Sequence, residues 1–178
     1  PENRILHVLF RPPESAYPIV TGLTPRRDVM VTETPVATFL PDFLGFRAQG
    51  QPTATAWMYL DRTWTWADAW EGTKRFAGGL RSEGIERGDR VAFLDKNNPA
   101  ILQAVLGGCL IGSATAIVNW RLAGDELDYV INDSGARIAF VGYELADAFE
   151  LIRDKLTTVE RVIIVGGDND EFEAWLDA

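Results

Sequence analysis

From residue 65 onward the chain alternates two hydrophobic patterns. Short, uninterrupted apolar runs, "RVAFLD" (90–95), "ATAIV" (114–118), "RIAFV" (137–141) and "RVIIV" (161–165), read as strands buried on both faces. Between them, apolar positions recur every three to four residues. Thr65 and Asp68 form a shortened capping box ahead of a helix whose inward positions are Trp66, Trp70, Thr73, Phe76, Ala77 and Leu80, with Gly84 as its stop. Asn98 and Pro99 open a second helix that points Ile101, Leu102, Val105, Leu106, Cys109 and Leu110 inward and ends at Gly112-Ser113. A third covers about 125–133, with Leu127, Val130 and Ile131 inward and Gly135 ending it, and a fourth runs from Tyr143 to Leu156.

Upstream the pattern loosens. "VATFLPDFLGFRA" predicts a short helix interrupted at Pro41, and "TATAWMYLDRTWTW" two strands around a tight turn at Asp61-Arg62. Residues 1–29, with Pro12, Pro13, Pro18 and Pro25, read as an irregular leader or upstream extension, and Met30 as a natural start; residues 30–178 form the folded portion.

Strand and helix in strict alternation predict an α/β fold: a doubly wound, mostly parallel sheet with helices on both faces. Such sheets bind ligands beyond the carboxyl ends of their strands, where the strand order reverses. The loops to watch are therefore Lys96–Asn98, Asn119–Arg121, Gly142 and Gly166–Asp168.

Charge sharpens this. The net charge of −9 is uneven: residues 125–178 hold 4 basic and 14 acidic groups, while residues 31–124 hold 9 of each. That balance offers no footprint for a nucleic-acid backbone, and most of these carboxylates read as solvated helix faces. The stretch Asn97–Trp120 carries no formal charge, long enough on paper for a membrane span. Its internal helix start and stop make it a core helix plus a core strand instead, leaving membrane contact at most peripheral.

Candidate chemistry is sparse. One cysteine and one histidine exclude a disulfide framework and a zinc cluster, and fit a cytoplasmic setting. Cys109 reads as a small buried hydrophobe, and His7 lies in the irregular leader. Ser113, Thr115 and Ser134 have no nearby histidine, and Asp133-Ser134-Gly135 reads as a helix-ending turn. "VGGDND" (165–170) lacks the remaining glycines of a phosphate-binding motif and reads as a plain turn. The helical pairs Gly78-Gly79 and Gly107-Gly108 read as sites of close packing. Trp120 and Arg121, at a strand's carboxyl end, stay open: Arg121 can hold a carboxylate or brace a loop.

The succession "TWTWADAWEGTKRFAGGLRSEGIERGDRVAFLDKNNPAILQAVLGGCLIGSATAIVNWRLAGDELDYVINDSGARIAFVG" resembles the N-terminal region of adenylate-forming acyl-CoA synthetases. In that family "T(Y/W)xEL", "GVxxGDRVA", "N(S/C)PE", "GAVxxPLNxRL", "xxEL" and "DSxAR" follow one another in this order, and "ERVIIVGGD" continues it here. "VNWRL" is similar to the fatty-acid ligase branch. The resemblance implies a two-step reaction: ATP and Mg convert a carboxylate to an acyl-adenylate, and coenzyme A then displaces AMP. The family's phosphate loop "TSGTTGxPKG", "YGxTE" segment, ribose-binding Asp and C-terminal lysine have no counterpart in these residues. No catalytic, cofactor-binding or metal-binding residue is therefore carried over. The expectation is the N-terminal portion of a fatty-acid–CoA ligase, inactive on its own, exposing apolar surface and self-associating; the alternative is a non-enzymatic α/β binding or assembly module. Where the family has Thr-Pro, this chain has Ala123-Gly124, which predicts a helix lacking its N-terminal side-chain cap, softer by about 1 kcal/mol.

Overall fold

The structure, a computed structural model, describes residues 39–168 and 170–177. The expected leader, Met30 and His7 lie outside the described residues. Helix α1 (Leu40–Gly50) leads into an antiparallel hairpin of β1 (Thr55–Tyr59) and β2 (Arg62–Thr65). Pro41 does not interrupt α1: it sits in the first turn, where its missing N–H costs nothing, and Asp42 accepts a bond from the Phe39 amide. Helix α2 (Trp66–Ser82) follows directly, capped as expected, with the Thr65 hydroxyl accepting from the Asp68 amide at 3.2 Å and the Asp68 carboxylate accepting back from Thr65 N at 3.0 Å.

The four apolar runs become β3 (Arg90–Leu94), β4 (Ala114–Val118), β5 (Ile138–Gly142) and β6 (Arg161–Val165), an all-parallel sheet in the order β4-β3-β5-β6. The doubly wound expectation holds. Helices α2, α3 (Pro99–Ile111) and α6 (Glu171–Asp177) cover one face; α4 (Asp125–Ser134) and the short α5 (Ala146–Glu150) cover the other. Strand side chains alternate between these faces: Val91, Phe93, Ile138 and Phe140 join the first core, and Ala92, Leu94, Ala139 and Val141 the second. Helix α1 adds an outer layer, with Leu44 buried against Ala69 and Leu106.

The first core is aromatic. The Phe140 ring lies 5.0 Å from Phe76, 5.1 Å from Trp175 and 5.9 Å from Phe93, within the range where ring pairs add stability beyond the area they bury. Trp175 and Phe172 come from α6, a helix that the hydrophobic pattern does not reveal. Gly79 makes room for it, since a Cβ there would lie 2.7 Å from the Trp175 ring. Gly107 likewise lets α3 approach α2, its absent Cβ falling 2.8 Å from the Thr73 carbonyl oxygen. Gly78, by contrast, faces open space and packs against nothing.

Two further expectations need correction. The segment Tyr143–Leu156 is not one helix but a 3-10 turn (Tyr143–Leu145), α5, and a second 3-10 turn (Arg153–Lys155). Its only buried residues are Phe149 and Ile152, one turn apart, so there is no longer stripe to hold a longer helix. In α3 the buried positions are Ile101, Ala104, Leu106, Gly107 and Gly108, while Leu102 is exposed; the helix is wedged between sheet and α2 by its small residues. Helix α4 begins as predicted, without a side-chain cap at Gly124, and ends at Gly135 (φ 66°) with the Ser134 hydroxyl donating to the Ile131 carbonyl. No described helix is long and apolar enough to cross a membrane.

At the amino edge of the sheet Arg137 ties three segments together. Its guanidinium donates to Asp89 (2.9 Å), to both Glu160 oxygens (3.1 and 2.9 Å) and to the Gly84 carbonyl (2.9 Å). Glu160 is held below its ordinary value of 4.5 chiefly by Arg137, and Asp89 below 3.8 by the Glu86 amide first and Arg137 second. Depressed carboxyls contribute stability that is complete above their ordinary values and is lost as pH falls through the lower folded-state values. On acidification from pH 5 to pH 3, the melting temperature should therefore fall more steeply in the natural protein than in Arg137→Met. Equal slopes would show that the network does not respond to acid.

Candidate functional site

The chain leaves β3 for β4 on one side and returns to β5 on the other, so the connections part between the carboxyl ends of β3 and β5. A cleft of 510 Å³ opens there, between the sheet's carboxyl edge and the β1-β2 hairpin. Asp95, the first residue beyond β3, forms its floor. One carboxylate oxygen accepts from the Lys96 amide at 2.7 Å; the other accepts from the Asn98 side-chain amide. Asn98 in turn caps α3, its Oδ1 accepting from Ala100 N at 2.9 Å. A β3-to-α3 relay thus runs Asp95, Asn98, helix.

Burial raises the Asp95 carboxyl, against the lowering pull of those two donors. It lies directly on Gly142 at the end of β5, where a Cβ would fall 2.1 Å from its oxygen. Lys96 pairs with Glu144 across the cleft, which raises the lysine. On the other side Lys96 Nζ sits 5.6 Å from the Trp120 ring, and the Arg121 guanidinium stacks on the same ring at 4.2 Å. The hairpin wall supplies Tyr59 and an Arg62 guanidinium lying 4.8 Å over Trp64. At the end of β6, Asp170 accepts from Gly166 N at 3.0 Å and from Phe172 N at 3.1 Å, so Asp170 ties the start of α6 back to Gly166.

Three of the four watched loops, at Lys96–Asn98, Gly142 and Gly166, meet in or border this cleft; Asn119–Arg121 joins it through the Lys96–Trp120 contact. Asp168 is exposed and takes no part in its lining. Among the described residues no carboxylate pairs with Arg121, whose amide is instead held by the Asn119 side chain at 3.1 Å. Ser113 and Thr115 donate to the Gly108 and Ala104 carbonyls, and half-buried Cys109 stays within α3. Sequence reasoning missed Asp95, Tyr143, Glu144 and the hairpin wall. Only Asp95 left a signal, as a carboxylate ending an otherwise apolar strand.

A four-stranded doubly wound sheet with a cleft at its switch point defines an α/β domain of the class that places ligand sites at that edge. The family comparison narrows it: the pattern described as AMP-binding enzyme matches residues 46–178, and the chain belongs to that family. It is 32% identical over 121 residues to a 3-hydroxybenzoate–CoA/4-hydroxybenzoate–CoA ligase of Thauera aromatica, covering 68% of this chain and 23% of that protein. It is also 32% identical over 132 residues to the fatty acid–[acyl-carrier-protein] ligase ScoC of Streptomyces coeruleorubidus, covering 73% and 24%. Among solved structures, the N-terminal domain of FACL13 from Mycobacterium tuberculosis superposes with a TM-score of 0.70 at 28% identity, covering 78% of this chain and 36% of that one. The anthranilate CoA ligase AuaEII shares the fold, with a TM-score of 0.72 at 23% identity over 77% of this chain and 26% of that one. The chain spans about a quarter of the length of the curated relatives it matches.

Replacing Gly142 by Ala forces the Asp95 carboxylate off its two donors. The expected loss is about 1–3 kcal/mol in urea unfolding, as for other overpacked sites, and Asp95→Ala in the same chain should recover part of it. Additive losses would place the two residues out of contact.

Proposed function

We propose that the complete protein is an AMP-forming ligase that activates a carboxylic acid with ATP and passes the acyl group to coenzyme A, and that residues 30–178 are the first portion of its large domain. The family match over residues 46–178 carries this reading. A fatty acid is the proposed substrate, supported by "VNWRL" and by the likeness to the fatty acid–[acyl-carrier-protein] ligase ScoC; the hydroxybenzoate ligase makes an aromatic acid the competing choice. A cytoplasmic setting is part of the same reading.

What these residues contribute is architecture. Asp95 and Asn98 fix the start of α3, and the Lys96–Trp120–Arg121 stack presents cations at the sheet's carboxyl edge. Among the described residues no three His, Cys, Asp or Glu side chains converge as a metal site, so no step through magnesium is assigned to them.

The complete protein should release pyrophosphate from ATP with a fatty acid and form AMP and acyl-CoA, whereas residues 1–178 alone should release none and should self-associate in sedimentation. Turnover only with aromatic acids would move the substrate assignment, and activity of the 178 residues alone would sink the reading. In the complete enzyme, Arg121→Ala separates two roles. A raised KM or lowered kcat at unchanged melting temperature places Arg121 on a substrate; a lowered melting temperature with intact kinetics makes it a brace.

A further inference from the structure

The surroundings of Asp95 suit only its ionised form. Each carboxylate oxygen meets one donor: Oδ1 takes the Lys96 amide at 2.7 Å, and Oδ2 takes the Asn98 side-chain amide. A proton adds a third donor to a group that already has two, and weakens whichever bond shares its oxygen. The carboxylate has no room to turn away, because the Gly142 backbone lies so close that a Cβ there would collide with it.

Both donors belong to the walls of the 510 Å³ cleft. Asn98 Nδ2 reaches Asp95 and also donates to the Lys96 carbonyl at 3.1 Å, while its Oδ1 accepts from Ala100 N at the start of α3. Loss of Asp95 as an acceptor therefore loosens the cap of α3, whose Pro99, Ala100 and Gln103 line the cleft. Lys96 carries the arm that joins Glu144 to the Trp120 ring. The other ionisable groups facing this space are Tyr143 and Glu144 from the turn after β5, Tyr59 and Arg62 from the hairpin, and Asp170 and Glu173 from the start of α6. Burial is the largest influence raising the Asp95 carboxyl; Glu144 adds to it and Lys96 opposes it. The charge is thus a cost to the fold, and what it secures is the arrangement of two cleft walls.

We propose that Asp95 is a positioning residue for the carboxylate-activating reaction: its negative charge, acting through Asn98 and Lys96, holds the α3 wall and the Lys96 arm in the arrangement that turns over, and a proton there switches the cleft off. The inference rests on the reading of this chain as part of an AMP-forming ligase.

The complete protein tests it against Asp95→Asn, which keeps the size and one acceptor oxygen. At pH 7 kcat/KM should fall several-fold while the melting temperature stays level or rises. A fall in both would make Asp95 a structural brace, and unchanged kcat/KM would leave its charge without a role; either result overturns the proposal. A second measurement needs no turnover. Hydrogen exchange at the Ala100 and Ile101 amides, corrected for intrinsic rates, should quicken several-fold in one step as pH falls through the Asp95 titration. The step should vanish in Asp95→Asn, move to lower pH in Glu144→Gln and move to higher pH in Lys96→Met. A step that persists in Asp95→Asn overturns the proposal whatever the activity. A complete protein that forms no AMP with any carboxylic acid, yet shows the step and its shifts, overturns the ligase reading and leaves the charge-dependent wall standing.

Discussion

The packing of Phe140 is the interaction on which the rest of the structure depends. It lies at the middle of the one strand buried along its whole length, and its ring touches side chains from β3, α2 and α6 at once. Three elements distant in sequence are thereby fixed to one point on one face of the sheet. With that face settled, the alternation of β5 sends Ala139 and Val141 to the other face, where α4 and α5 close over small residues. The positions of Gly142 and Asp95, and so of the cleft, follow from the same strand.

The amino and carboxyl edges of the sheet solve opposite electrostatic problems. At the amino edge Arg137 meets two carboxylates in the open, where water screens each pair and their value lies in joining three loops. At the carboxyl edge Asp95 is drawn out of water and its charge is disfavoured, held only by a backbone amide and Asn98. Its ionisation therefore acts against folding near neutral pH, and that penalty eases as pH falls toward its raised value, the reverse of the Arg137 carboxyls. The Arg137 pairs sit away from the cleft and the costly carboxylate sits within it.

How much of this was legible depends on range. The four strands announced themselves because burial on both faces leaves no polar position to interrupt the run. The caps at Thr65 and Asn98 were legible because their partners lie within three residues. Helix α6 was not: at seven residues it owes its existence to Phe172 and Trp175 packing against Phe76 and Phe140, about a hundred and about thirty residues away. The switch-point loops followed from topology, but the opposite wall of the cleft did not, since nothing in Tyr59 or Arg62 declares that β3, β5 and β6 end beside them. Arg137 was visible as a letter of "DSxAR", while its partners Asp89 and Glu160 lie 48 and 23 residues away.

The late position of Trp175 also bears on how the molecule is made. Phe76 leaves the ribosome roughly 5–20 s before Trp175 at ordinary rates of synthesis. At the end of that interval, once β6 is made and before α6 is, the aromatic face of the sheet has every strand but lacks its last covering helix, and Gly79 leaves an open notch where the indole will seat. The nascent chain thus passes through a defined stage with a sticky, nearly complete surface. Slow codons or a stalled ribosome between residues 165 and 175 would lengthen the one period in which this domain is most open to capture by a chaperone or by its neighbour on the same message.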